Sequence, residues 1–472
     1  MNFEKLPHAI INSLGTLKTS FTTVRIRGAQ LASAPITKNF LIYSVGGIFL
    51  RGANHLLLPI ILASIPPARF GLLSLINSFI TVISLSLGMG LRQVFGVEFF
   101  KKNKHEQIAL MYDISTIYLV VTTPILIGML YLSNFIQQTI FFDQITIKTV
   151  ALILAICAST FFSEIFYQLF RFQERAVALL VTQIIAAGVR IGLILVGLLY
   201  IYADIESMLI AQLISLICVT IIGYSLCRHD LSREYFNGKR ALHYAWPYIK
   251  QGIPLVCTLI FTWILGMIDK WCISSTINLN NNGYYSLADT CGQLFYVGFI
   301  GPCKAAYFPY IYKKFAQNPF AQTYQFNLKL CWLIMTATII TIPSIFILGQ
   351  PLLYWLIHKE YYPAISYILP VLFNYILSLG TFLAGAPITY TKDMNALMGM
   401  LFILVGIKTA TTIYLMPLLG IYGCIAATSL TYGIYFWFIL WYSNRLIQQR
   451  SIQPAVVDQT TPTTHHRDQI RK

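Results

Sequence analysis

Two ionisable residues stand side by side inside an apolar stretch long enough to cross a bilayer. They are Asp269 and Lys270, within GIPLVCTLIFTWILGMIDKWCISSTINLNNNGYYSLA from Gly252 to Ala288. A charge in such a setting is costly and rare, and marks a binding or ion-handling function by default. The bland alternative has the pair snorkelling to the interface along its own stems. Adjacent residues on a helix point about 100° apart, so the two are not simply each other's partners. A polar, Asn-rich turn follows, and then Gly283-Tyr284-Tyr285-Ser286-Leu287-Ala288 opens another apolar run.

Other ionisable residues recur at helical spacing, where side chains three and four apart share a face. One polar stripe is Ser44, Gly47, Arg51, Asn54 and His55, and a stronger one is Thr160, Ser163, Glu164, Tyr167, Gln168 and Arg171. Three more are Gln183, Ala187 and Arg190, then Asp289, Gln293, Tyr296 and Lys304, then Lys408, Thr411 and Thr412. Any single stripe can be explained as packing through small residues and interhelical hydrogen bonds. Arg51, Arg190 and Lys408 sit several residues from a span end, which argues against glue alone for the whole set.

The candidate substrate-binding cations are Arg51, Arg190, Lys270, Lys408 and Lys304. Guanidinium offers a phosphate or pyrophosphate a bidentate fork, and ammonium a point charge. Asp113, Glu164, Asp269 and Asp289 roughly balance these cations, so sign alone does not define an anionic ligand. The coupling and polar-cavity candidates are Asp269, Glu164, Asp289, His55, Asn54 and Gln293. Glu164 reads equally as a proton acceptor that drives a conformational change and as one half of a fixed ion pair. His55 alone is more often a hydrogen-bonded helix contact than a proton carrier. Nine cysteines are scattered, with no CxxC pair and no His cluster, so neither a metal site nor a disulfide framework is indicated. They read as small hydrophobes.

The elements that must carry these residues are transmembrane helices. Hydrophobic residues make up 57% of the 472, charged residues 11%, and the mean hydropathy is +0.67. Apolar runs of about 20 residues, the length that spans a hydrocarbon core, recur along the chain. The short alternating segments of a β-barrel do not appear. The fold class is therefore an all-α polytopic membrane protein with about twelve spans, near 39–63, 72–96, 109–132, 147–170, 177–201, 205–227, 252–275, 284–308, 326–349, 364–388, 396–417 and 420–443.

The net charge of +16 does not point to nucleic acid, because most basic residues lie in the short connections. Of the 33, 26 fall in segments on one side, against Arg69, Lys148 and Lys359 on the other. That asymmetry predicts both termini in the cytoplasm. Tyr354-Trp355 and Tyr361-Tyr362 stand where an aromatic belt would. No extramembrane segment is large enough for an enzyme domain.

The chain also repeats. An offset of 212 carries Gly71-Leu72-Leu73-Ser74-Leu75 onto Gly283-Tyr284-Tyr285-Ser286-Leu287, Arg92 onto Lys304 and Lys101-Lys102 onto Lys313-Lys314. An offset of 218 carries Gly188-Val189-Arg190 onto Gly406-Ile407-Lys408. Six spans repeated in one orientation imply two lobes related by an axis along the membrane normal, a transporter architecture. A water-filled cavity between them would keep the embedded charges hydrated. The expected division is a basic cytoplasmic segment 1–38, an N-lobe 39–228, a basic cytoplasmic linker 229–250, a C-lobe 251–446 and a disordered polar tail 447–472. Residues 1–38 carry no continuous apolar run of the kind a cleaved signal needs.

Asp269-Lys270 followed by Gly283-Tyr284-Tyr285-Ser286-Leu287-Ala288 resembles the D-R-…-G-x-Y-S-x-A region of Wzx-type polysaccharide flippases, of the multidrug/oligosaccharidyl-lipid/polysaccharide (MOP) superfamily. Arg51 through Pro59 and Phe70-Gly71-Leu72-Leu73-Ser74 resemble that family's R…L-L-P-I…-Y-G-L-x-S pattern. Gly420-Ile421-Tyr422-Gly423-Cys424-Ile425-Ala426-Ala427-Thr428 is similar to its G-I-x-G-A-A-I-A-T stretch. The likeness covers most of 39–440, with two departures: Lys270 replaces the usual Arg, and the basic N-terminal segment is long.

The resemblance implies a MATE-like fold and a bacterial inner-membrane flippase, not an enzyme. Its substrate would be oligosaccharide linked to undecaprenyl pyrophosphate, moved by alternating access for O-antigen, capsule or exopolysaccharide synthesis. Its partners would be membrane lipids, a polysaccharide polymerase and a chain-length regulator, with no cofactor beyond a proton or sodium as coupling ion. A cation-coupled multidrug exporter would favour a cavity dominated by acids. A lipid II flippase usually has fourteen spans. A membrane-embedded glycosyltransferase or polymerase would show a large outer loop.

Overall fold

The helices start where the sequence supplies caps and stop where it supplies breakers. The computed structural model describes residues 57–198, 204–228, 236–391 and 393–452, and every regular element among them is helical. In order, the helices of seven residues or more are α1 Leu58–Ser64, α2 Pro67–Gly88, α3 Leu91–Phe99, α4 Lys104–Tyr131, α5 Ile147–Phe172, α6 Ala176–Val196 and α7 Ile205–Cys227. Then come α8 Gly238–Thr276, α9 Leu279–Phe295, α10 Gly301–Gln317, α11 Phe320–Leu356, α12 Tyr362–Ala384, α13 Met394–Leu419 and α14 Ile421–Ile452. Ten helices among the described residues are long and apolar enough to cross a membrane, so the chain is a multi-pass membrane protein.

Asn103 and Glu106 form a capping box on α4, and Thr146 and Thr149 one on α5. Asp204, Asn237, Asn278 and Asp393 each cap the next helix by accepting a backbone N–H. Such caps satisfy donors that would otherwise be orphaned in an apolar medium.

Three expected spans differ in form. The span expected over 72–96 starts at Pro67 and breaks at Met89 and Gly90, both left-handed (φ 45° and 71°), before α3 resumes. Gly90 also lies backbone to backbone against Gly252, where a Cβ on either residue would overlap the other strand of backbone. The span over 284–308 begins earlier, because Asn278 caps α9 and the Asn-rich string forms its first turn. Wide five-residue turns over Tyr296–Ile300 then separate α9 from α10. By the offset of 212, the break at Met89 corresponds to Gly301, where α10 starts, so both repeats interrupt this helix at one register. Helix α8 starts at Gly238, well before the expected Gly252, so the described part of the linker is largely helical and continuous with the span. The last helix likewise runs to Ile452, past the expected start of the tail at 447. The expected span over 39–63 lies mostly outside the described residues.

Packing divides the chain into two units, one made of the residues up to Gly298 with Pro351–Tyr367, the other of Phe299–Gln350 with the residues from Ile368 onward. In the first unit, Tyr118 stacks on Phe161 with ring centroids 3.7 Å apart. Asp113 on α4 takes a forked contact from Arg240, whose Nε lies 2.9 Å from Oδ2 and whose Nη2 lies 3.0 Å from Oδ1. Lipid tails are as apolar as the helix faces, so packing rests on close fit and internal hydrogen bonds. The α2–α9 crossing shows both. Gly71 and Gly283 meet without side chains between them, and Asn282, fully buried, donates to the Gly71 carbonyl at 2.9 Å.

The aromatic pair at 361–362 is not a simple belt. Tyr361 is fully buried, its hydroxyl donating to the Ile65 carbonyl at 2.8 Å and its ring edge-on to Phe70. Trp355, by contrast, is 79% exposed. In the second unit, Asn374 donates to the Ile425 carbonyl, and Tyr307 donates to Asn327.

Candidate functional site

Within the first unit, α1, α2, α6, α7, α8 and α9 line a partly open cavity of about 460 Å³. Its polar lining comprises Ser74, Asn77, Ser78 and Thr81 of α2, Arg190 of α6, Gln212 of α7, Lys270 of α8, and Thr290 and Gln293 of α9. Apolar walls such as Phe70, Ile80, Met208 and Met267 complete it. Two tryptophans fasten the α2 wall: Trp263 donates to the Ser78 carbonyl and Trp271 to its Oγ, each at 3.1 Å.

Each cation on this wall is held differently. Arg190 Nη2 donates to the neutral Gln212 Oε1 at 3.2 Å, and its Nε is buried with no hydrogen-bond partner among the described residues. Lys270, 5% exposed, places Nζ 2.8 Å from Asp289 Oδ2. The same oxygen accepts Gln293 Nε2 at 3.0 Å. Asp269, 1% exposed, accepts the Tyr285 hydroxyl at 2.9 Å. The neighbours 269 and 270 therefore serve different partners on α9, as their angular separation requires. An arginine nitrogen left with an unused N–H in low dielectric is a strong donor to an anion.

The structure brings Arg190, Lys270, Asp269, Asp289 and Gln293 into one neighbourhood. Glu164 is elsewhere on α5, 3.6 Å from Arg92 of α3, the kind of basic neighbour the ion-pair reading requires. Lys304, in the second unit, sets Nζ over the Phe382 ring. Lys408, also in the second unit, is fully buried and donates to the Thr428 hydroxyl, because α13 and α14 pack closely there. Arg51, Asn54 and His55 lie outside the described residues. Sequence reasoning passed over Gln212, Asn77 and Thr290. Lone amides and hydroxyls inside apolar helices were the available signal, and without partners in view they read as ordinary helix contacts.

The repeat extends to these pairs. The offset of 212 carries Arg92 onto Lys304, and the offset of 218 carries Glu164 onto Phe382, so an ion pair in one half corresponds to a cation–π contact in the other.

Residues 36–315 match the family described as "Polysaccharide biosynthesis protein", and the chain belongs to that family. No curated protein matches it in sequence. Its fold is that of MOP-superfamily transporters. It is similar to an inward-facing multidrug resistance MATE transporter of that superfamily (TM-score 0.66, 14% identity, 88% of this chain and 100% of the other). It is also similar to an outward-facing MATE transporter (TM-score 0.55, 15% identity, 90% and 99%). A third similar structure is a MOP transporter from Pyrococcus furiosus whose reversed pocket polarity is said to suggest a different function (TM-score 0.58, 14% identity, 90% and 98%).

Proposed function

We propose that this chain is a flippase that carries a lipid-linked oligosaccharide across the bacterial inner membrane, with Arg190 and Lys270 receiving the diphosphate that joins sugar to undecaprenyl lipid. The observation that supports this most is the placing of both cations on the wall of one cavity inside a membrane-spanning unit. Arg190, whose hydrogen bond goes to a neutral amide, leaves a cation there that would attract a phosphate rather than a cationic drug. Asn77, Gln212 and Gln293 supply the neutral donors and acceptors that sugar hydroxyls require. The lipid tail would stay in the bilayer. The proposal includes cytoplasmic termini, coupling to a proton or sodium, and work alongside a polysaccharide polymerase and chain-length regulator.

A clean deletion tests it, with surface polysaccharide and lipid-linked intermediates measured in the same cells. Loss of surface glycan with single repeat units accumulating on undecaprenyl pyrophosphate is the expected result. Normal glycan without accumulated intermediate, in a genome with no second flippase, would sink the reading. Altered resistance to cationic drugs would then favour an exporter.

A further inference from the structure

The geometry points to Asp289 as the resident counter-anion of Lys270, displaced from it when a diphosphate binds. This rests on the anion-binding reading above and adds a residue that sets the strength of the site. Lys270 and Gln293 both line the cavity, yet both give their hydrogen bonds to one carboxylate oxygen, Asp289 Oδ2, at 2.8 and 3.0 Å. Asp289 is only 6% exposed and stands behind them, one helical turn before Gln293. The donors an incoming phosphate would meet on α8 and α9 are thus turned toward an anion the protein itself provides.

A buried ammonium without a partner would be expensive, and a buried pair loses most of its value when one partner is removed. Asp289 keeps the empty cavity close to neutral at this point. A diphosphate carries more charge and more acceptor oxygens than one carboxylate, so it competes effectively for Lys270 and Gln293. When the ligand leaves, Asp289 takes the ammonium back, and release does not strand a bare cation. An internal competitor lowers apparent affinity by the fraction of time that Lys270 is free. Arg190 has no carboxylate in this role among the described residues, since its hydrogen bond goes to neutral Gln212. Asp269 accepts the Tyr285 hydroxyl. The site therefore combines a standing donor with one released only to a stronger anion than a carboxylate. Such an arrangement favours capture followed by release over tight retention.

The test is isothermal titration of inorganic pyrophosphate into the full chain in lipid nanodiscs. Asp289→Asn keeps the side-chain size and removes the competing charge, and pyrophosphate is expected to bind roughly tenfold tighter or better. Lys270→Gln should weaken binding, and Asp289→Asn added to Lys270→Gln should give no gain, because Asp289 acts through Lys270. Should Asp289→Asn not yield folded protein, Asp289→Ser carries the same expectation. Equal or weaker binding by a folded Asp289 variant, with Arg190→Gln still losing affinity, would overturn the counter-anion role alone. Absence of pyrophosphate binding to wild type and Asp289→Asn alike would overturn the anion-site reading and this inference with it.

Discussion

Gly71 and Gly283 occupy the same position in the two halves of the repeat, and they touch each other. A Cβ on Gly71 would run into the Leu279 carbonyl and the Gly283 nitrogen, and one on Gly283 into the Pro67 carbonyl. The repeat-related helices α2 and α9 therefore cross at their own equivalent residue, and both also line the cavity.

That crossing gives the first prediction. Gly283→Ala forces backbone against backbone, where no flexible side chain can yield. Overpacking of this kind typically costs about 1–3 kcal/mol. Melting in detergent should fall by several degrees for Gly71→Ala or Gly283→Ala. Gly266→Ala on α8, where a Cβ meets nothing within 4 Å, should leave it unchanged or raise it.

The forked Arg240–Asp113 contact fixes the start of α8 against α4. Asp113 is 7% exposed at its side chain and Arg240 35%, so water reaches one partner only. Asp113→Asn or Arg240→Gln alone should cost about 1–3 kcal/mol, below the figure for a fully buried pair. A double-mutant cycle should show the combined variant losing less than the sum of the two.

Arg190 and Lys408 correspond in the repeat but differ in setting. Arg190 reaches the cavity and Lys408 is enclosed between its own helix and Thr428. Arg190→Gln should weaken pyrophosphate binding by about tenfold or more, as expected for a lost charge-assisted contact of 1.5–3 kcal/mol. Lys408→Gln should leave the affinity within about twofold, since its hydrogen bond is of the internal kind. Titration of the two purified variants separates the roles.

Outside the spans, Glu98 offers a pH test. The Lys101 ammonium, 2.8 Å away, holds its carboxyl below the usual range, with the Gln251 side chain adding to the effect against the opposing pull of burial. A carboxylate with a lowered folded pKa contributes its full share above the unfolded value of about 4.3 and loses it as pH falls through the folded value. Lys101 is 60% exposed, so that share should stay under about 0.5 kcal/mol. Glu98→Gln should be less stable than wild type by up to that amount near neutrality, and melts across acidic pH should show the two converging as pH falls through the folded value of Glu98.

Much of this was legible from residue types alone. The apolar runs and the repeat marked out the helices, and the angular argument for Asp269 and Lys270 anticipated that each would find its own partner. What escaped depended on neighbours distant in sequence. Asn280 to Asn282 read as a turn because polarity is local, whereas the buried Asn282 is polar for the sake of Gly71, over two hundred residues earlier. Tyr361 read as interfacial until Ile65 supplied an acceptor. The Met89–Gly90 break had a local signal in Gly88-Met89-Gly90, but its necessity comes from Gly252 pressing on it. Arg190, Lys270 and Gln293 were singled out by charge and spacing, whereas Gln212 looked like any amide in an apolar helix until Arg190 came to meet it.

The two indoles fastened to Ser78 have a practical consequence. Trp263 and Trp271 are two of the seven tryptophans in the chain, and both share hydrogen bonds with a residue that lines the cavity. Indole emission shifts in colour and intensity with the polarity and hydrogen bonding around the ring. The wall thus carries a built-in optical reporter, and filling or emptying the chamber can be followed as a change in native fluorescence without attaching a dye.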